Sequence, residues 1–252
     1  MLISSTANER IKAVRRLRRG RERRQTSRTL VEGPNLVSAA LGAGVVPVDV
    51  YTVAGGALVA RCEAAGSTIV EVSGPVLEAV STTVEPQDPV GVIVIPEPAR
   101  LETRRTVVAV DISDPGNVGT LIRSAGALGW QIALIGGADP WSPKVLRASA
   151  GAQLLYPAVI VEGIEALIGG GLTPVATTVS GGVGPASLET DRPIALLVGS
   201  EAHGLDDGLV EQCAASMTIE MSGDIESLNA GVAGAIAMYA LGLAGGHTEL
   251  PS

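Results

Sequence analysis

Val107–Gly129, VVAVDISDPGNVGTLIRSAGALG, joins the pattern of a buried strand to that of a helix through a polar turn. Thr106 to Val110 is a short, β-branched apolar run suited to a parallel strand, and Asp111 to Gly116 is turn chemistry carrying Pro115 and Gly116. A helix is expected to start near Asn117, a good N-cap residue, with Leu121, Ala125 and Leu128 as its apolar stripe. That start sets Asn117 and Gly119 at the positive end of the helix dipole. Arg123 follows six residues later, less than two turns along, so Asn117 and Arg123 are expected to border one cleft. The cleft would lie at the carboxyl end of the strand, where open α/β sheets bind ligands. The stretch is not a dinucleotide fingerprint, because DPGNVG lacks the G-x-G-x-x-G spacing, and the chain contains no G-x-x-x-x-G-K-[ST] phosphate loop.

Strand and helix patterns alternate on both sides of this stretch. Downstream come Gln131 to Ile135, the loop GGADPW, a short helix SPKVLRASAG, a helix near Ile164 and a strand from Pro174 to Thr178. The Gly-rich loop SGGVGPAS then precedes a strand from Pro193 to Val198, and a strand from Met217 to Met221 leads to an uncharged helix beginning near Ser227. Upstream, TLVEGPNLVSAALGAG gives a strand and a helix entered at Gly33 and Pro34. Strands over Val45–Val53, Thr68–Val72 and Val90–Ile95, with helices over Gly55–Ala65 and Pro75–Val80 between them, complete a small α/β unit. PEPARLETRR, from Pro96 to Arg105, has the prolines and charges of a linker. The expected division is residues 1–96, a linker over 97–105, and a second domain over 106–252.

Composition narrows the classes. Of 252 residues 46% are apolar, Phe is absent and aromatics make up 2%, so the core must be built from Val, Leu, Ile and Ala. That suits parallel strands covered by helices. The net charge of −8 conceals an asymmetry: between Glu9 and Arg28, ten Lys or Arg stand against Glu9 and Glu22, which leaves −16 on the remainder. Residues 9 to 24 read as one helix with Ile11, Val14 and Leu17 on one side and arginines on the others. A cationic block of this density repels itself unless something anionic meets it, and phosphates of nucleic acid are the expected partner. Cys62 and Cys213 have no metal or C-x-x-C spacing and read as reduced thiols of a cytoplasmic protein. MLISSTANER has no apolar segment of a secretory signal. Ser227–Thr248 contains no charged residue, but only six of its positions are Leu, Ile, Val or Met, so a buried helix is expected rather than a membrane anchor.

Two more loops that follow strands stand out. Ile194–Val198 runs into GSEAHGL, where Gly199 and Gly204 permit a tight turn and Glu201 is the only charge between Arg192 and Asp206. Met221 begins the segment MSGDIESLNAG, in which Ser227 and Asn229 bracket Leu228. Taken in order, N-x-G-x-x-x-R, S-P-K-x-x-R-x-S-x-G, G-S-E-x-x-G and I-x-M-S-G-x-x-x-S-L-N resemble the signature regions of the SpoU/TrmH branch of the SPOUT methyltransferases. R-x-L-V-E-G-P at Arg28–Pro34 is similar to the opening of the ribosomal-protein-like RNA-binding domain of thiostrepton-resistance-type members.

The resemblance implies an α/β architecture in which a small RNA-binding domain precedes a methyltransferase domain whose parallel sheet is tied in a deep trefoil knot. It also implies a homodimer and S-adenosylmethionine-dependent methylation of a ribose 2′-hydroxyl in structured RNA, above all ribosomal RNA. A tRNA ribose methyltransferase of the same fold and a non-catalytic ribosome-associated RNA-binding protein are the alternatives. Matched position by position, Gly199, Ile219 and Leu228 line the cofactor through backbone groups, and Thr177 is a further candidate for its edge. Asn117, Arg123, Glu201, Ser227 and Asn229 match the catalytic-site positions. Glu220 stands where the family usually has Pro, and Ala202 where many members have Gly, both in cofactor loops.

The side chains suit this chemistry. Transfer of a sulfonium methyl requires alignment of two substrates, removal of a proton and stabilisation of a developing alkoxide, without a metal. No His, Cys and Asp cluster is available to bind one. Because a guanidinium keeps its proton, Arg123 suits alkoxide and phosphate stabilisation better than proton abstraction, which leaves Glu201 as an alternative proton acceptor. His203 and His247 read as surface or packing residues. The homodimer is expected to use the uncharged C-terminal helix, whose small residues recur at four-residue spacing: Ala230 and Gly234, Gly231 and Ala235, Ala233 and Ala237.

Overall fold

A computed structural model describes residues 2–189, 191–222 and 227–244. In chain order its elements are α1 (Glu9–Arg16), α2 (Gly20–Thr26), β1 (Arg28–Glu32), α3 (Pro34–Gly42), β2 (Asp49–Thr52), α4 (Ala57–Ala64), β3 (Thr68–Glu71), α5 (Gly74–Val80), β4 (Val90–Val94), β5 (Thr106–Val110) and α6 (Pro115–Ala127). There follow β6 (Gln131–Ile135), α7 (Pro143–Ala148), α8 (Ala152–Leu155), β7 (Val159–Ile160), α9 (Ile164–Gly169), β8 (Thr173–Thr178), β9 (Ile194–Val198), α10 (Asp207–Glu211), β10 (Ala215–Thr218) and α11 (Ala230–Ala244). They form two compact units, the first running to Glu97 and including Trp141–Leu155, the second made of Pro98–Pro140 and the chain from Tyr156 onward.

The first unit carries a four-stranded mixed sheet of order β1-β4-β2-β3, in which only β2 and β3 are parallel. One side of its core gathers Ile11, Val14 and Leu17 with Leu30, Tyr51, Val76 and Val80. The other gathers Val31, Leu36, Val37 and Ile93 with Leu146 and Leu154. These last two explain why Trp141–Leu155, expected in the second domain, packs with the first: α7 and α8 bury their leucines there, and Thr29 Oγ1 donates to the Trp141 carbonyl at 2.7 Å. Gly151, at φ +84, brings the backbone so near Ala39 that a Cβ would sit 2.8 Å from the alanine methyl.

Two expectations change here. The single helix over residues 9–24 is two helices, because Leu17 caps the end of the first and Arg19 is extended. The buried Arg23 guanidinium donates to the carbonyls of Leu17 and Arg18 at 2.9 and 3.0 Å, satisfying acceptors that the break frees. The strand expected over Val45–Val53 shortens to β2 because Pro47, which has no N–H to give a ladder, stands in it.

The second unit is an all-parallel sheet of order β10-β8-β9-β5-β6-β7. Alternate residues of the central strands serve opposite faces. Val108, Val110, Ala195 and Leu197 pack with Ile164 and Leu167 of α9 and with Leu209 of α10. On the other face Gly234 of α11 lies against Leu121 of α6 and Val198 of β9. Helix α6 begins at Pro115, two residues before the expected start, because Asp114 is the cap: its side chain accepts from Asn117 N at 3.0 Å while Pro115 occupies the first turn, where a missing N–H costs nothing. β10 ends at Thr218, so Ile219 and Met221 lie in the loop after the strand rather than within it.

The small residues of α11 are used within the chain. A Cβ on Gly231 would meet Thr120 at 3.0 Å, and one on Gly234 would overlap Leu121, so these two glycines serve the close approach of α11 to α6 within the chain. Val232, Ile236, Tyr239 and Leu243 remain exposed along the same helix. Among the described residues no helix is long and apolar enough to cross a membrane.

Candidate active site

The carboxyl ends of β8, β9 and β10 meet the start of α11 around a cleft with about 710 Å³ of open space, its mouth included. Gly199, Ile219, Leu228, Ser227, Glu201 and Thr177 all line it. Its remaining walls include Thr178, Val198, Met217, Met221, Ala230 and Ala233. A glycine is required at Gly199, because a Cβ there would overlap the backbone of Gly204. Gly204 itself, at φ +65, closes the turn by donating its N–H to the Ser200 carbonyl at 2.8 Å. Thr177 Oγ1 donates back to the Leu197 carbonyl at 2.8 Å, joining the two strands that form the floor. Nearby, Thr218 Oγ1 accepts from Gly182 N at 2.9 Å, and a Cβ on Gly182 would collide with the backbone of Ser216 and Met217. This packing of the loop after β8 onto β10 was missed in the sequence, although SGGVGPAS advertised a backbone in close approach.

One edge of the cleft is polar. Asn117 Nδ2 donates to Glu201 Oε1, and Asn229 Nδ2 donates to Glu201 Oε1 at 3.0 Å and to Asn117 Oδ1 at 2.8 Å. Asn229 also caps α11, its Oδ1 accepting from Val232 N at 3.2 Å. The N-termini of two long helices therefore converge on one carboxylate, an arrangement that their dipoles favour. Asn117 is buried, whereas Glu201 and Asn229 are exposed.

Arg123 is not part of this group. It is exposed and has no hydrogen-bond or ion-pair partner among the described residues. The expectation that it would border the same cleft as Asn117 fails on helical geometry, since six residues at 3.6 per turn leave the two side chains about 120° apart. A second cleft, on the far side of Glu201, is lined by Asp111, Asp114, His203, Asp206 and Asp207. Among the described residues no His, Cys, Asp and Glu cluster has the arrangement of a metal site. His247 lies outside the described residues.

The N-terminal residues 8–91 match a family model described as the MRM3-like substrate binding domain. Over 245 residues the chain is 31% identical to the 23S rRNA (guanosine(2553)-2′-O)-methyltransferase RlmP of Bacillus subtilis, covering 95% of this chain and 98% of that one. The crystal structure of an AdoMet-bound rRNA methyltransferase from Sinorhizobium meliloti superposes with a TM-score of 0.85 at 28% identity, over 96% of this chain and 97% of that one. The SpoU methyltransferase AviRb of Streptomyces viridochromogenes, in complex with AdoMet, gives 0.82 at 25% identity over 93% and 97%. Residues 104–239, which hold the cleft and the Asn117–Glu201–Asn229 group, match the model of the SpoU rRNA Methylase family, and the chain belongs to that family.

Proposed function

We propose that the protein methylates a ribose 2′-hydroxyl of ribosomal RNA with S-adenosylmethionine as methyl donor. The observation that carries this is the junction of an apolar, glycine-walled cleft with a polar edge built on Glu201. Val198, Met217, Ile219, Met221 and Leu228 suit an adenosine and the aliphatic methionine chain, the hydroxyls of Thr177 and Thr178 stand among them, and the side-chain-free wall at Gly199 leaves room for close backbone approach. When bound, the cofactor supplies an electrophilic methyl on a sulfonium. The protein's part is to align the ribose oxygen, take its proton and stabilise the charge that develops.

In this reading Gly199, Ile219 and Leu228 hold the cofactor, and Glu201 at the rim accepts the proton, directly or through water. Asn117 and Asn229 fix its carboxylate, which spares the reorganisation that a loose side chain would need. Ser227 contributes a hydroxyl at the mouth. Arg123 is read as the group that steadies the alkoxide or a neighbouring phosphate, acting on the cleft of a partner protomer. Its exposure away from its own cleft supports that assignment. The homodimer is proposed on the exposed stripe of α11, Val232, Ile236, Tyr239 and Leu243, which recur at helical spacing. The sheet order, with β9 beside β5 and α11 returning to α6, suits the trefoil crossing expected of the family. The free thiols of Cys62 and Cys213 suit a cytoplasmic protein.

RNA capture is assigned to the first unit. Of its cationic block, Arg23 is buried, Arg10 pairs with Asp49 at 2.6 Å, and Arg18 donates to the carbonyls of Ala79 and Ser81. Arg15, Arg19, Arg21, Arg24 and Arg28 are exposed and supply the remaining field. Nucleoside mass spectrometry of unmodified 23S and transfer RNA incubated with protein and S-adenosylmethionine tests the proposal. A 2′-O-methylnucleoside gained in the ribosomal RNA is the expected outcome. Methylation confined to transfer RNA would move the substrate, and RNA binding without methyl transfer would leave a non-catalytic binding protein.

A further inference from the structure

Within the first unit, a cleft with about 950 Å³ of open space lies between the loop after α5 and the start of α7. Arg18, Lys144 and Arg147 line it, together with Glu78, Thr82 and the fully exposed Val84. Only eight Lys or Arg occur outside Glu9–Arg28, and two of them stand here beside an arginine of that block. The cleft is therefore continuous in charge with the block, although 65 residues of sequence separate Thr82 of one wall from Arg147 of the other.

The walls are held by a carboxylate underneath. Glu32, whose side chain is fully buried, accepts from Ser81 Oγ, from Thr82 N and Oγ1 at 2.9 and 2.7 Å, and from Thr83 Oγ1. Arg147 Nη1 lies 3.6 Å from Glu32 Oε2 and also donates to Thr82 Oγ1. Arg18 donates through Nη2 to the carbonyls of Ala79, at the end of α5, and Ser81, in the loop after it, while its Nε and Nη1 have no partner among the described residues. The Lys144 ammonium, exposed, likewise has no partner among them. The hydroxyls and one edge of Arg147 are thus committed to Glu32 and its loop, while Lys144 and the unpartnered nitrogens of Arg18 remain available in the cleft. A fixed guanidinium beside an ammonium suits phosphodiester oxygens, the first by geometry and the second as a point charge.

We propose that Arg18, Lys144 and Arg147 form a phosphodiester-binding cleft that grips the backbone of the substrate RNA, with Glu32 as the buried residue that orders both of its walls. The proposal rests on the RNA reading above and adds to it Lys144 and Arg147 of the segment 141–155, set beside Arg18 of the arginine block. Each phosphate contact releases condensed counterions, so a lost contact is read as a shallower salt dependence.

The test is filter binding of full-length protein to transcribed 23S ribosomal RNA across a salt series, for wild type, Lys144→Glu and Arg61→Glu. Arg61 lies exposed in α4, outside the cleft, and its reversal changes net charge equally. Lys144→Glu is expected to weaken binding about tenfold at low salt and to flatten the log K versus log salt slope by about 0.7 to 0.9. Arg61→Glu should change affinity less than threefold, and cofactor affinity by calorimetry should be the same in all three proteins. Equal losses in the two variants, or an unchanged slope for Lys144→Glu, would overturn the cleft. If the wild type binds and methylates the RNA while Lys144→Glu behaves like it, only the cleft falls. If the wild type neither binds nor methylates RNA, the functional reading falls and takes the cleft with it. Restored affinity in Lys144→Arg would tie the effect to charge at this position.

Discussion

Each unit of the molecule gathers hydrogen-bond donors around one glutamate, and the two are built for opposite ends. Glu32 is sealed in the first unit. Burial acts to raise its pKa, but hydrogen bonds from Ser81, Thr83 and Thr82 outweigh it and hold the carboxyl below the ordinary value of 4.5. Glu201 is exposed, and its two partners are side-chain amides at the N-termini of separate helices, both on one oxygen. A carboxylate saturated by hydroxyls and backbone away from water orders structure, since releasing any donor would leave a buried charge short of a partner. A carboxylate steadied on one side and open on the other can meet a substrate. The R-x-L-V-E-G-P segment thus contains a glutamate that serves folding, whereas G-S-E-x-x-G contains one placed for chemistry.

The largest effect expected from breaking this contrast is on turnover. Glu201→Ala should lower methyl transfer by roughly 10² to 10⁴-fold, the span of a lost acid–base group, while the thermal unfolding midpoint hardly moves. Arg123→Ala should fall as far with cofactor affinity retained. If Arg123 serves the partner's cleft, mixing the two inactive variants by co-expression restores one complete site in each mixed dimer, about a quarter of wild-type activity for random pairing. Absence of any rescue would return Arg123 to its own protomer or remove it from the reaction.

Next comes stability. Glu32→Ala should cost about 3 to 5 kcal/mol in denaturant unfolding, because Arg147 and three hydroxyls lose their acceptor. A loss below about 1 kcal/mol would put Glu32 in the class of exposed carboxylates.

The smallest effect is the pH dependence. Because the folded pKa of Glu32 is depressed, its stabilisation is fully present above its unfolded value and is lost as pH falls through the folded one. Unfolding followed between pH 6 and pH 3 should show the wild type losing more stability than Glu32→Gln below about pH 4.5. Parallel curves would mean that the carboxylate is not the acid-sensitive group.

Sequence alone settled what depends on neighbours along the chain. Apolar runs at Thr106–Val110 and Ile194–Val198 gave buried parallel strands, because both faces of such a sheet are covered and tolerate no polar alternation. Gly199, Ile219 and Leu228 were legible only through the resemblance of their motifs to a known family, and all three line the cleft. Ile11, Val14 and Leu17 were legible as a buried stripe even though the helix carrying them breaks. Tertiary structure decided the rest. The assignment of Trp141–Leu155 to the first unit turned on where Leu146 and Leu154 found apolar partners, and periodicity fixes a face without naming what it packs against. The Asn117–Glu201–Asn229 group spans 112 residues, which no local pattern could bring together, whereas the separation of Arg123 from it was already contained in the six-residue spacing along a helix. The small residues of α11 predicted a close helix contact correctly in kind, but whether α6 or another copy fills it depends on the path of the chain. Chain path is set by how the whole sheet closes over its core, a property of all the strands together and of no local stretch.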